Sequence, residues 1–293
     1  MKHLNRLLPL TGLLDLLCPP ICPVCSEVIE NSNLAGTPCL VGTPFCPTCI
    51  QKIVTPVGQF CFRCGGRRFV APNSNNTDGC VRCRTATFRF KRVIVLGEYV
   101  SNLRTLVLKM KTDRTGMLAI ATARMLTASR RAELESVQAD YVVPVPMHRL
   151  RREDRGVNSP DLLAEELARQ LQVPFVRHLL RRVRQTDLQY TLSWQARAEN
   201  VSDAFALRPP GYWQKLLAKV RGRSAAQFPD LVGKNVLLVD DILTTGATCN
   251  EIAKVLLSAG VNTVTVAAVA RAANATPLFH LLIHPHTQPE YQH

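Results

Sequence analysis

The sequence has no run of about 18 consecutive apolar residues, so no segment reads as a transmembrane helix. Acidic side chains are scarce, with 22 Asp+Glu against 36 Lys+Arg and a formal net charge of +14. Such a surface suits phosphate ligands or nucleic acid, and also simple solubility. A G-x-x-x-x-G-K-[ST] string is missing, which excludes a Walker-type loop. The Leu-rich amino terminus faintly resembles a signal peptide but is not expected to act as one. Asp15 interrupts it, no small-x-small cleavage site follows, and Leu17 before Cys18 spoils a lipoprotein site. Residues 1–17 are expected to form a short amphipathic leader, in a cytoplasmic protein with no membrane span. The composition, 46% hydrophobic and 20% charged over 293 residues, is that of a folded chain with room for two ordinary domains.

Cysteine is nearly absent after residue 83: ten of the 11 lie in residues 18–83, and Cys249 stands alone beyond them. Eight form four C-x-x-C pairs, Cys22/Cys25, Cys46/Cys49, Cys61/Cys64 and Cys80/Cys83. Two residues between cysteines let both thiolates of a tight knuckle face one tetrahedral ion, and two knuckles close a four-sulfur site. The gaps are 20 residues between the first two pairs and 15 between the last two, near ribbon spacing. Two structural zinc ions are expected. Disulfides would need an oxidising compartment, and a redox motif would explain one pair rather than four. Sequential pairing suits the gaps, although a cross-braced scheme fits the same residues. Cys18 and Cys39 read as spare thiols. In the second half of this module Arg63, Arg67, Arg68, Arg82, Arg84, Arg89, Lys91 and Arg92 interleave with Phe60, Phe62, Phe69, Phe88 and Phe90. That mixture fits stacking and phosphate neutralisation on a single strand, or a small core with a solvated basic face.

From residue 93 onward, strand and helix periods alternate. Residues 93–99 read as a strand, followed by a helix with Leu103, Leu106, Val107 and Met110 on one face. A second helical stretch is expected over 115–127 and a short strand over 141–144. Ser159 is placed as the cap of a helix with Pro160 at its first position. The clearest unit is strand 235–239, a polar turn, a helix, Gly260 and strand 263–269. That order implies a mostly parallel sheet covered by helices.

The turn in this unit reads Val236-Leu237-Leu238-Val239-Asp240-Asp241-Ile242-Leu243-Thr244-Thr245-Gly246-Ala247-Thr248. Open α/β sheets bind ligands at the carboxyl ends of their strands. A helix amino terminus approached through Thr hydroxyls and Gly suits a phosphate. Asp240 and Asp241 can accept hydrogen bonds from sugar hydroxyls, so phosphate and diol together describe a ribose 5-phosphate. Thr248 and Glu251 have capping-box spacing.

These thirteen residues resemble the phosphoribosyl pyrophosphate (PRPP) signature of type I phosphoribosyltransferases. The chain as a whole resembles the ComF/GntX competence-related family, over about residues 15–273. Leu108-Lys109-Met110-Lys111, Val143-Pro144-Val145-Pro146, Arg155-Gly156-Val157-Asn158, Gln189…Leu192…Arg197…Asn200…Phe205 and Ala270-Arg271 also match. Val157 stands where the family usually has Phe, and Ser159-Pro160 where it has Gln-Ala. The resemblance implies a type I phosphoribosyltransferase-like α/β domain over 91–275, a parallel sheet with helices on both faces, preceded by a small double zinc ribbon over 18–90. Residues 211–230 look like an insertion and 276–293 like a tail.

By the same resemblance, Asp240 and Asp241 would hold the ribose hydroxyls. Thr244, Thr245, Gly246, Ala247 and Thr248 would cradle the 5-phosphate. Arg149, Arg151, Arg152 and Arg155 would meet the diphosphate, while a solvated basic loop would carry the same residues. Residues 185–200, with Arg197, would form a flap, and Lys109 is a further candidate. Mg²⁺ would accompany PRPP. The implied activity is phosphoribosyl transfer to a nitrogen acceptor, with no catalytic base identified. The other reading is a non-catalytic single-stranded DNA-handling protein of the DNA-uptake (competence) machinery, partnered by other competence proteins.

Overall fold

The computed structural model describes residues 19–29, 43–67, 80, 83, 86–147, 158–184, 201–208 and 229–272. The expected leader, Cys18, Cys39, the flap, nearly all of the insertion and the tail lie outside them. In chain order the elements are α1 (Pro47–Ile53), β1 (Arg92–Glu98), α2 (Ser101–Thr112), α3 (Met117–Glu135), β2 (Tyr141–Pro144) and α4 (Ser159–Leu171). There follow β3 (Leu180–Arg182), β4 (Phe205–Leu207), β5 (Asn235–Leu243), α5 (Ala247–Ser258) and β6 (Thr263–Arg271).

Four strands form a parallel sheet in the order β1-β6-β5-β2, and β3 and β4 pair as a separate antiparallel hairpin. Alternation along the strands splits the core in two, because successive side chains leave a sheet on opposite faces. Ile94, Leu96, Leu237, Val239, Ala267 and Val269 pack with α2, α3 and α4. Val93, Val95, Val236, Leu238, Val264 and Val266 pack with α5, the hairpin and Phe90. Helices therefore cover both faces. No helix of the described residues is long and apolar enough to cross a membrane.

The cysteine-rich segment is built into this core. Cys22, Phe45, Ile50 and Ile53 belong to the same buried cluster as β1 and α2. The segment also reaches the backbone of β1, the end strand, whose unpaired groups would otherwise invite aggregation. Val93 N–H donates to Phe62 O (2.7 Å) and Thr55 N–H to Leu96 O (2.9 Å). The buried guanidinium of Arg130 locks the seam, donating to Val95 O (2.8 Å), Leu96 O (3.0 Å) and Thr55 O.

Several elements differ from their sequence expectation. Helix α3 runs eight residues beyond Thr127, to Glu135. Its buried stripe continues through Thr127, Arg130 and Leu134, and the polar members of that stripe conceal it from a hydrophobic count. Asn158, not Ser159, precedes α4, so Pro160 is the second helical residue, and Ser159 Oγ donates instead to Met110 O (3.4 Å). Strand β5 continues through both aspartates to Leu243 because β6 still pairs with it, Asp240 facing Ala268 and Leu243 facing Arg271.

Gly97 tests how tightly this seam is closed. A Cβ there would lie 2.5 Å from Ile53 O and 3.1 Å from Leu103 Cδ2. Gly97→Ala is expected to cost about 1–3 kcal/mol, the usual range for overpacking. The readout is the urea midpoint, and an unchanged midpoint would show a seam with slack.

Candidate functional site

The paired aspartates sit at the carboxyl end of β5, an interior strand flanked by β6 and β2. Each is organised by the backbone: Asp240 Oδ1 accepts Asp241 N–H (2.8 Å), and Asp241 Oδ1 accepts Ile242 N–H (2.7 Å). Lys111 Nζ, from the last turn of α2, lies 3.1 Å from Asp241 Oδ2. Burial of the Asp240 carboxyl pushes its pKa well above the ordinary value, and the adjacent Asp241 charge adds to the shift.

The chain then turns into α5 through Gly246, whose φ of +86° makes it the left-handed residue before the helix. A Cβ at Gly246 would meet Phe88 and Phe90 only at 3.5–3.6 Å, so the turn angle rather than space demands glycine there. The Thr245 hydroxyl accepts Ala247 N–H (3.3 Å). The helix starts at Ala247, with Gly246 at the cap position offering no side chain, so the Thr248–Glu251 capping box does not form. Glu251 instead accepts from Asp203 N–H and Lys254 Nζ. First-turn amides have no acceptor within a helix, which leaves this end suited to an anion.

Lys109 lies elsewhere, donating to Pro23 O at 2.7 Å in the first cysteine knuckle. Lys111, given no role from sequence, is the lysine beside the aspartates. Its signal was helical phase: it stands four residues after buried Val107 and next to buried Met110, at the margin of the apolar stripe. Arg149, Arg151, Arg152, Arg155 and Arg197 lie outside the described residues.

The eight paired cysteines gather into two quartets in sequential order, Cys22, Cys25, Cys46 and Cys49, then Cys61, Cys64, Cys80 and Cys83. Four sulfurs about 2.3 Å from a central zinc would stand about 3.8 Å apart as a tetrahedron. Cys25–Cys46 is 3.7 Å, Cys61–Cys83 3.6 Å, Cys64–Cys80 3.6 Å and Cys80–Cys83 3.8 Å. These are ion-site separations, far from the roughly 2.05 Å of a disulfide. Backbone amides also reach the sulfurs, Cys49 N–H to Cys46 Sγ (3.4 Å) and Cys80 N–H to Cys61 Sγ (3.2 Å). The Cys61 thiol is drawn down to about 4 by the Cys64 thiol and then by backbone N–H groups, against burial. Both quartets could hold zinc. Lone Cys249 is buried, and burial raises its pKa, as expected of an inert thiol.

Residues 162–280 match the family model described as a phosphoribosyl transferase domain. Competence protein F of Haemophilus influenzae is 30% identical over 233 residues, covering 78% of this chain and 90% of that protein. The chain belongs to the competence protein F family. DNA utilization protein YhgH of Salmonella typhimurium is 30% identical over 226 residues, 75% of this chain and 87% of that protein. Its Escherichia coli K12 counterpart is 29% identical over the same length. A solved hypoxanthine phosphoribosyltransferase from Staphylococcus aureus aligns with TM-score 0.31 and 13% identity, over 54% of this chain and 73% of that one.

The raised pKa of Asp240 gives a prediction with a sign. A carboxyl that holds its proton more tightly when folded stabilises the protein at low pH, and loses that contribution as pH rises through its folded value. Asp240→Asn removes the penalty. The variant is expected to melt higher than the parent near pH 8, with the difference shrinking towards about pH 4, the ordinary carboxylate range. Thermal melts at both pH values check this, and equal or lower stability near neutrality would contradict it.

Proposed function

We propose that residues 240–248 bind PRPP or another ribose 5-phosphate ligand, and that the domain transfers the phosphoribosyl group to a nitrogen acceptor. The observation that carries this reading is the paired carboxylates at an interior strand's end, directly followed by a glycine-entered helix start. Asp240 and Asp241 take the ribose hydroxyls; Thr244, Thr245, Gly246, Ala247 and Thr248 surround the phosphate. In the transfer, the C1–O bond to diphosphate breaks with its electron pair leaving on oxygen. A C1–N bond forms and the nucleophile gives up a proton. Arg149, Arg151, Arg152 and Arg155 are assigned to the departing diphosphate, with Arg197 on the covering flap. Positioning and charge stabilisation then account for the catalysis. Mg²⁺, arriving with the diphosphate, supplies further charge neutralisation. We assign zinc to both cysteine quartets, two ions per chain, as structural metals with closed four-sulfur shells.

Calorimetry with PRPP, with and without Mg²⁺, tests the ligand. Asp240→Asn combined with Asp241→Asn is expected to weaken binding at least about tenfold, since each lost charged acceptor is worth roughly 1.5–3 kcal/mol. Unchanged affinity would reduce the pair to a turn.

A second reading, single-stranded DNA handling alongside other competence proteins, is favoured by the names of the relatives and by the +14 charge. The phenylalanines give it little support. Phe90 is buried, Phe88 stacks on it at 4.8 Å, Phe60 packs against the core, and only Phe62 of this described group is exposed. Arg67 pairs with Glu98 (3.3 Å), and Arg63 donates to Ala86 O (3.2 Å). Contact would then be chiefly electrostatic. Anisotropy of a labelled oligonucleotide is expected to show affinity falling with salt at a slope near −0.7 per phosphate contact. PRPP should compete if Arg149, Arg151, Arg152 and Arg155 serve both ligands. Absence of binding at low salt would remove this reading.

A further inference from the structure

Arg271, the last residue of β6, is buried, with 4% of its surface exposed. Its Nε donates to Cys64 O (2.9 Å) and its Nη1 to Leu243 O (2.8 Å). One end of this rigid fork thus holds the backbone of a cysteine in the second quartet. The other holds the last residue of β5, immediately before Thr244. The knuckle lies flat against the sheet: a Cβ on Gly65 would come 2.6 Å from Val93 Cγ1 and 3.5 Å from Arg271 Cδ.

A second connection runs through the chain leaving the same quartet. Phe88 packs against Cys61, Cys64 and Cys83, and stacks on Phe90. Both rings lie against Gly246, and Arg89 N–H donates to Asn250 Oδ1 (2.6 Å) in the first turn of α5. The quartet therefore grips the candidate phosphate loop at both ends, at Leu243 through Arg271 and at Gly246 and Asn250 through residues 88–90. The first quartet is tied to other elements, with Asn102 Nδ2 donating to Cys49 Sγ (3.5 Å) and Lys109 to Pro23 O.

We propose that the second cysteine quartet, when it holds its metal, fixes residues 244–248 in their ligand-ready shape, with Arg271 as the positioning residue that transmits it. Zinc fixes the Cys61–Cys64 knuckle and so keeps Cys64 O in place. If the knuckle loosens, a buried guanidinium loses an acceptor, which is costly, and Arg271 must shift away from Leu243 O. Coupling between two sites is reciprocal, so a ligand in the loop also holds the metal more firmly. The ligand half of this statement rests on the ribose-phosphate reading; the mechanical half does not.

Hydrogen exchange on the full chain without ligand tests the mechanical half. Cys80→Ser, with zinc content falling from two ions to one, is expected to speed exchange across residues 243–250 by about tenfold or more, while α3 and α4 keep their protection. Cys49→Ser should loosen residues 50–56 and leave 243–250 within about twofold. A loop equally protected in Cys80→Ser, or equally loosened by both variants, overturns the proposal. Should Cys80→Ser fail to fold, Arg271→Lys and Asn250→Ala retain all eight cysteines. Both are expected to keep two zinc ions yet loosen residues 243–250 selectively, and an unchanged loop in both overturns the proposal. Ribose 5-phosphate tests the reciprocal half: it should slow zinc loss to a chelator in the parent, and less so in Arg271→Lys. If ribose 5-phosphate does not bind the parent, the ribose-phosphate reading fails, and the exchange comparison still decides the coupling.

Discussion

The pairing of β5 with β6 is the contact on which the rest of the molecule depends. It runs in register from Asn235 opposite Thr263 to Leu243 opposite Arg271, well past the point where β5 stops being apolar. A strand ending at Val239 would release both aspartates into a loop. The continued ladder holds them on a rigid backbone, where each carboxylate can accept the next residue's amide. The same ladder brings Arg271 beside Leu243, at the start of the candidate loop, and β6 also pairs with β1, the strand that the cysteine-rich segment covers. One central pairing thus fixes the candidate site and joins it to the cysteine-rich segment.

That segment packs into the main core rather than standing apart from it. Small metal-stapled modules carry little apolar material of their own, and metal binding supplies much of their folding energy. Phe45, Ile50 and Ile53 nevertheless enter the main core, and residues 55 and 62 bond to the β1 backbone. The two quartets lie against surfaces that the sheet requires, one beside α1 and α2, the other beside β6 and the loop. Disturbing a quartet should therefore reach the elements of the main domain packed against it rather than release one independent piece.

The sequence shows those features that are local. Short continuous apolar runs mark the strands of the parallel sheet, C-x-x-C spacing marks the quartets, and the Asp240–Thr248 string marks the loop. Features set by contacts between distant residues are hidden. Arg130 lies three residues beyond the helical stretch expected over 115–127, and its burial follows only from the three carbonyls that Thr55, Val95 and Leu96 present to it. Lys111 needs a partner 130 positions away, and Arg271 needs Cys64, 207 positions away. The interleaved phenylalanines mislead for the opposite reason. Their spacing suits a stacking surface, but Phe88 and Phe90 fill the gap beneath Gly246.

The acidic pair is where foldability and chemistry part. Burial of the Asp240 carboxyl, with the adjacent Asp241 charge adding to it, raises the Asp240 pKa and carries a cost that a fold selected for stability alone would avoid by placing an amide there. Lys111 pairs directly with Asp241 and offsets Asp240 through its charge only weakly, so Asp240 relies chiefly on its backbone partner. The surrounding structure over-determines the arrangement: the ladder beyond Val239, the left-handed Gly246 and the aromatic support beneath it all constrain the loop. Such a concentration of cost and support is not what folding alone requires, and it marks residues 240–248 as the place where this chain's stability is set against a task.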